Sequence, residues 1–215
     1  MEYTLSQILK DVRKCLDENE VSTSLIAEGD TDTLSLNTII KQKIEESARL
    51  LQSLSPRKYL DGGVVFPDTT IHWFISTGNG AGYIPLPSDW QRLAVFRMSD
   101  WNISCFDTIS DDSVAYAMQK SRYLGIKGNP DRPVCAVTVN ADGRVMEFYS
   151  CTGGVKVAID KAKYYPLPLF SNDTIRICEN LYIPTVTYAA GLTAITVKDE
   201  QHGGTLIQNA LNEIK

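Results

Sequence analysis

Between Thr33 and Leu54 one apolar stripe persists through about six helical turns. Leu36, Ile39, Ile40, Ile44, Ala48, Leu51 and Leu54 fall on one face, while Lys41, Lys43, Glu45, Glu46 and Arg49 fall on the other. Pro56 ends the pattern, because a residue preceding proline is pushed out of the α region. A shorter amphipathic helix comes first, with Leu5, Ile8, Leu9, Val12, Cys15 and Leu16 at helical spacing. Thr4 and Gln7 give it a capping box. A long helix and a short one cannot bury both stripes on each other. A further partner is required, elsewhere in the chain or in another subunit. The acidic stretch at 17–32 between them reads as a loop.

From about residue 59 the texture changes. The run from Tyr59 to Pro87 is rich in Gly, Pro, aromatic and β-branched residues, a strand-and-turn composition. A strand follows at 91–101, with Leu93, Val95 and Arg97 alternating against Ala94, Phe96 and Met98. Residues 110–126 break the β texture. A short helix is expected there, capped by Ser110 or Asp111, with Val114, Ala117, Met118 and Ser121 on one face. The clearest hairpin spans 133–151, around Asn140-Ala141-Asp142-Gly143, where Asp142-Gly143 supplies positive φ. Cys135 and Cys151 lie near its outer ends and read as two small buried apolar residues. One more strand follows the Gly153-Gly154 turn, and Pro166 and Pro168 close the β region.

The C-terminal part returns to helix. Residues 174–181 read as a short strand or a fraying turn. Pro184 fits the first turn of a helix, so the next helix is expected from about Leu181–Ile183 to Val197. Tyr188, Gly191, Leu192 and Ile195 share a face, and Tyr188-Ala189-Ala190-Gly191 is a smooth patch that another helix can approach. A turn at 198–204 and a last helix using Leu206, Ile207, Ala210, Leu211 and Ile214 complete the chain. The fold expected is α+β. Helices at 1–58 and 171–215 form a bundle, and an antiparallel β lobe carrying a short helix is inserted at 59–170.

With 215 residues, 43% of them hydrophobic and 22% charged, the chain can bury a core without metals or disulfides. A net charge of −5 and the absence of any Lys/Arg run argue against a general nucleic-acid-binding surface. The first residues carry acids and polar groups where a signal peptide needs an apolar run. No stretch approaches the ~20 apolar residues of a membrane span. Five scattered cysteines without a CxxC pair point to reduced thiols in a protein made in the cytoplasm.

No catalytic, cofactor or metal constellation stands out. The two histidines, His72 and His202, have no Ser or Cys in an elbow motif beside them. Asp111-Asp112 favours a helix N-terminus and needs no catalytic explanation. The Gly78–Gly82 run lacks phosphate-loop spacing and reads as a turn. Arg132, in the rigid loop 127–133, is a solvated arginine unless it anchors an interface. Trp73, Trp90 and Trp101, with Tyr83, Phe96 and Phe106, read as an aromatic β core. A sugar- or receptor-binding module would concentrate aromatics in the same way. A hydrolase using Asp111 or Asp112 with His72 is a further alternative.

Three phrases carry a family resemblance. They are the run from Tyr83 to Asn102, with Leu86-Pro87-Ser88-Asp89-Trp90-Gln91-Arg92-Leu93 entering a strand; Gly128-Asn129-Pro130-Asp131-Arg132-Pro133-Val134-Cys135-Ala136 before a hairpin; and Leu181 to Glu200, containing Tyr188-Ala189-Ala190-Gly191-Leu192. Together they resemble head–tail connector, or adaptor, proteins of short-tailed phages, nearest to ring proteins of phages of gut Bacteroides, including the crAss-like group. The resemblance spans roughly residues 83–200. It implies a virion neck protein that is not an enzyme and forms a homo-oligomeric ring, typically twelve-fold, beneath the portal. Tail or further ring proteins would dock on it. Double-stranded DNA would pass through the channel without sequence-specific binding, since a non-basic wall does not trap phosphates. Trp90, Arg92, Arg132, Tyr188 and Gly191 are the interface residues expected on this reading. Gly191→Leu is expected to impair assembly more than monomer stability.

Overall fold

The structure is a computed structural model that describes residues 1–16, 31–74, 80–121, 123, 125–152, 157–196 and 200–215, with residues 31–36 as backbone only. The acidic 17–30 stretch, part of the Gly78–Gly82 run, the Gly153-Gly154 turn and residues 197–199 lie outside the described residues. In chain order the elements are β1 (Glu2–Thr4), α1 (Leu5–Cys15), α2 (Thr31–Leu54), β2 (Val64–Val65), β3 (His72–Trp73), β4 (Gly80–Pro85), β5 (Trp90–Met98), β6 (Ile109–Ser110), α3 (Val114–Gln119), β7 (Cys135–Asn140), β8 (Gly143–Cys151), β9 (Ile159–Pro166), β10 (Phe170–Ser171), β11 (Thr174–Arg176), α4 (Tyr182–Thr196) and α5 (Glu200–Glu213). They fall into two compact units. One joins Met1–Asp61 to Leu167–Lys215, and the other is Gly62–Pro166.

In the first unit the two amphipathic stripes find their missing partner in α4. Ile8 and Val12 of α1, Ile40, Ile44, Ala48 and Leu51 of α2, and Val186, Ala189 and Ala190 of α4 make one core, closed by Ile214. Thr4 caps α1, its hydroxyl accepting from the Gln7 amide at 3.3 Å. Tyr3 stacks on Tyr182 with centroids 4.0 Å apart, and the Tyr182 hydroxyl donates to Asp11 at 2.7 Å. The helix α4 is buried around most of its circumference, including Pro184, Thr185, Val186, Ala190, Gly191 and Ala194. Gly191 and Ile195 share the face that meets Gly203 of α5, as their spacing leads one to expect, while Ala189 and Ala190 lie in the core.

Two corrections concern the C-terminal part. Residues 200–204 are the first turn and a half of α5, not a turn. Gly203 and Gly204 are tolerated inside the helix because Gly203 meets Gly191 across the helix pair. A Cβ on Gly203 would lie 2.6 Å from the Gly191 carbonyl oxygen, and one on Gly191 would lie 2.8 Å from that of Gly203. Of the β strands of this unit, β11 is the short strand that residues 174–181 offer, while β1 and β10 are not expected from the sequence. Here β1, β11 and β10 form a three-stranded sheet with β11 in the centre, Tyr3 opposite Ile175 and Phe170 opposite Ile175. Asn172 and Asp173 connect β10 to β11 with φ of 50° and 58°. Positive φ at both central residues is the two-residue hairpin turn that matches strand twist.

The second unit is a pair of sheets around an aromatic core. One is ordered β2-β9-β5, the other β3-β4-β8-β7-β6. Phe96 and Met98 from the first sheet meet Ile84, Met146 and Phe148 from the second, with Trp101 alongside. The ring of Phe96 lies 5.8 Å from that of Phe148 and 5.6 Å from that of Trp101. The strand β5 buries both Leu93 and Ala94, which simple alternation forbids. A register shift between Leu93 and Val95 against β9 explains it. The β7–β8 hairpin closes with Asn140 opposite Gly143, and only Gly143, at φ 102°, takes the left-handed conformation. Two details differ from expectation. The β6–β7 pair is parallel, so the β unit is not wholly antiparallel. The cap of α3 is Ser113, whose hydroxyl accepts from the Tyr116 amide at 3.2 Å, not Ser110 or Asp111. The buried residues of α3 are Tyr116 and Gln119, and the shared Val114–Met118 face, for which the spacing sets no burial either way, is the exposed one.

Candidate interaction surface

The helix α3 is held onto its sheet by polar groups. The Tyr116 hydroxyl donates to the Glu147 carboxyl of β8 at 2.9 Å, and Tyr149 donates to the same oxygen. The Gln119 carboxamide receives the Gly128 amide at 2.7 Å and donates to the Ala115 carbonyl at 3.0 Å. With Tyr116 and Gln119 turned inward, helical geometry turns Val114 and Met118 outward on the opposite side. They are 72% and 45% exposed. Tyr123 and Ile126, in the turn that follows, are 74% and 46% exposed, with the Ile126 amide bonded to the Tyr123 carbonyl. Four large apolar side chains thus sit in water within thirteen residues of chain. Single exposed apolar residues need no explanation, but a local group of them marks a contact surface. The spacing places Val114 and Met118 on one face, and that face is the exposed one.

Trp90 opens β5 and is only 7% exposed. The Arg144 guanidinium lies over its ring, 5.2 Å from the centroid. Its indole N–H has no hydrogen-bond partner among the described residues. A cleft of about 320 Å³ lies beside it, lined also by Thr108, Ile109, Asp111, Val137 and Val139. Arg92 is half-buried on β5, in register with Tyr165 of β9. The loop carrying Arg132 is closed on itself, the Arg132 amide donating to the Asn129 carbonyl at 2.9 Å and to its side-chain oxygen at 3.0 Å. The Arg132 side chain is exposed. Tyr188 packs half-buried against the helical core. Gly191 is used up by α5 of its own chain, so as a surface for a second subunit it is corrected to an internal packing residue.

The alternative constellations are not assembled. His72 is on β3 and Asp111 follows β6, and these strands are opposite edges of the five-stranded sheet. Four strand spacings of about 4.8 Å separate them by roughly 19 Å, too far for a shared proton. His72 instead stacks on Tyr83 at 4.7 Å. His202 lies in α5, a ring nitrogen 3.4 Å from the Cys15 carbonyl oxygen. Of the aromatics that a sugar-binding module would use, Trp101 and Phe96 are enclosed in the core, Trp90 is 7% exposed beside its cleft, and Phe106 is exposed. Among the described residues no group of three His, Cys, Asp or Glu side chains could hold a metal ion. Among them, too, no helix is long and apolar enough to cross a membrane. No protein-family model matches this chain, and neither does any curated protein.

Proposed function

We propose that this protein is a structural subunit of a homo-oligomeric ring, a head–tail adaptor of a phage virion seated against the portal. The observation that carries the reading is the outward apolar group of Val114, Met118, Tyr123 and Ile126. Its α3 part, Val114 and Met118, is anchored from behind by Tyr116 and Glu147 and is presented on a fixed element. A second copy of the chain is the occupant, because a ring gives every subunit the same neighbour and covers the same patch on each. The helical unit interrupted by a β unit is the organisation that the resemblance to connector proteins implies. The net charge of −5 suits a channel through which DNA slides without being held. Arg132, exposed on a self-closed loop, and Arg92 are candidates for polar contacts at the rim of such an interface.

Mass by light scattering, with and without a cognate portal, tests the reading. A ring, free or templated by the portal, is expected. In the double variant Val114→Lys and Met118→Lys the ring is lost while the monomer melts unchanged, since both side chains are in solvent. A wild-type monomer that ignores the portal refutes the assembly. A ring that survives both lysines refutes the assignment of this face.

A further inference from the structure

The second unit has two outer faces, and strand register settles what each one carries. In the five-stranded sheet, Cys135 and Val137 of β7 and Met146 and Phe148 of β8 point into the aromatic core between the sheets. Ala136 and Tyr149 alternate with them and point the other way, and Tyr116 of α3 packs on them there. The helix α3 therefore lies on the side of that sheet turned away from the sheet β2-β9-β5. In the three-stranded sheet the pairs Leu93–Tyr164 and Phe96–Ala162 point into the same core. The intervening pairs Val95–Lys163 and Arg97–Lys161 point outward, and Val65 of β2 joins Lys163 in one row. Val65 is 66% exposed, and Lys161 and Lys163 are exposed beside it.

These two faces carry opposite charge around apolar side chains. The chain enters α3 through Asp111 and Asp112, both exposed, next to the outward Val114 and Met118. Asp111 receives one long bond, 3.4 Å from the Thr138 hydroxyl. Lys120, at the far end of α3, is folded over the Tyr116 ring at 4.5 Å. On the other side of the unit, Arg97 is held 3.6 Å from Asp160 and donates to the Trp101 carbonyl. No carboxylate among the described residues lies within salt-bridge distance of Lys161 or Lys163. In a chain of net charge −5, two such lysines on one sheet face are a local excess of the minority sign.

We infer that the α3 face of one copy docks on the outer face of the β2-β9-β5 sheet of the next copy. The inference rests on the reading of the α3 face as a contact between copies, and it names what that face meets. Val114 and Met118 lie against Val65 and Val95, and Asp111 and Asp112 lie against Lys161 and Lys163. Complementary charge of this kind fixes register and rejects wrong pairings. The two surfaces differ and sit on opposite sides of one unit, so the contact is head-to-tail. Each added copy leaves one surface of each kind open until the circle closes, which is how a heterologous contact generates a ring. A contact of α3 with α3 would close a dimer and leave the lysine face unused.

The test is charge reversal on the full chain, read by light scattering with and without a cognate portal. Lys161→Glu with Lys163→Glu, and Asp111→Lys with Asp112→Lys, should each raise the concentration of half-assembly about tenfold at low salt, because two exposed pairs become repulsive. A chain carrying all four substitutions has the net charge of wild type and should regain assembly, since the pairs are restored with their signs exchanged. As a second readout, a chain with Asp112→Cys mixed with a chain with Lys163→Cys should oxidise to a disulfide between positions 112 and 163 of different copies, mapped by mass. Assembly that ignores both double reversals, no recovery in the fourfold variant, or a 112–112 disulfide in place of 112–163 overturns this pairing while wild type still forms its ring. A wild-type chain that stays monomeric with and without the portal overturns the ring and the pairing together.

Discussion

Gly203 and Gly204 are neighbours in α5 with opposite surroundings, and substitution by alanine should move stability in opposite directions. A Cβ at Gly203 would sit 2.6 Å from the Gly191 carbonyl oxygen and 2.7 Å from Ile195 Cγ1. The first of these is backbone and cannot rotate away, so α4 and α5 must separate by about half an ångström or more. Overpacking of this kind costs about 1–3 kcal/mol. The gain in helix propensity from Gly to Ala returns up to about 1 kcal/mol. Gly203→Ala should therefore destabilise by about 1–2 kcal/mol. At Gly204 nothing lies within 4 Å of the new methyl, so propensity acts alone and Gly204→Ala should stabilise by up to about 1 kcal/mol. At roughly 2–4 °C per kcal/mol, the two variants should melt about 5–10 °C apart. Far-UV circular dichroism is the readout, because Trp73, Trp90 and Trp101 all belong to the other unit and do not report on these helices. If both substitutions stabilise equally, the helices are not in close contact and the reasoning fails. Gly191→Leu follows the same logic, and loss of monomer stability should precede any effect on assembly.

Tyr116→Phe removes one of the two hydroxyls donated to Glu147 and should cost about 1–3 kcal/mol, concentrated at α3. Hydrogen exchange across 114–120 should rise while the β7–β8 hairpin stays protected; uniform protection would show that the hydroxyl does not anchor the helix. Alkali should destabilise the protein. Burial raises Cys151 from 9.0 to about 12, and raises Cys135, Cys178, Tyr149 and Tyr182 as well. These groups keep their protons when folded and lose them near pH 9–10 when unfolded. Their stabilising contribution is complete below about pH 9 and is lost as pH rises through the folded values. Denaturant midpoints should fall steadily above pH 9, and a flat profile to pH 11 would contradict the burial.

The elements written in the sequence are those whose signal is local. The Thr4 cap, the α2 stripe from Ile40 to Leu51 and the β7–β8 hairpin each need only a few adjacent residues to declare themselves, and each is where its residues put it, although Leu54, expected on the stripe, is exposed. The strand β11 stands between strand and turn in the sequence because three residues carry no usable period. Its signal was Asn172-Asp173, a pair that tolerates positive φ and sits between two short β-prone runs. Residues 200–204 are obscured for a different reason. A Gly-Gly pair reads as a helix breaker, and only the approach of Gly191 shows why glycine is needed there.

The surface of α3 shows why function was harder to read than fold. Val114 and Met118 are four apart, and that spacing reports a shared face without saying whether protein or water lies beyond it. In a long helix the polar residues opposite would settle the matter. In six residues both sides look apolar, since Tyr116 is as hydrophobic as Met118 by composition. What decides between them is the tyrosine hydroxyl. Tyr116 can be buried only where an acceptor awaits it, and Glu147 on β8 is that acceptor, thirty-one residues further along the chain. A buried carboxyl so far away in sequence has no local signature, yet it sets the rotation of the helix. The exposure of Val114 and Met118 follows from that rotation. Moving the acceptor would turn a different face outward, so an assembly surface here depends on a polar contact that it does not contain.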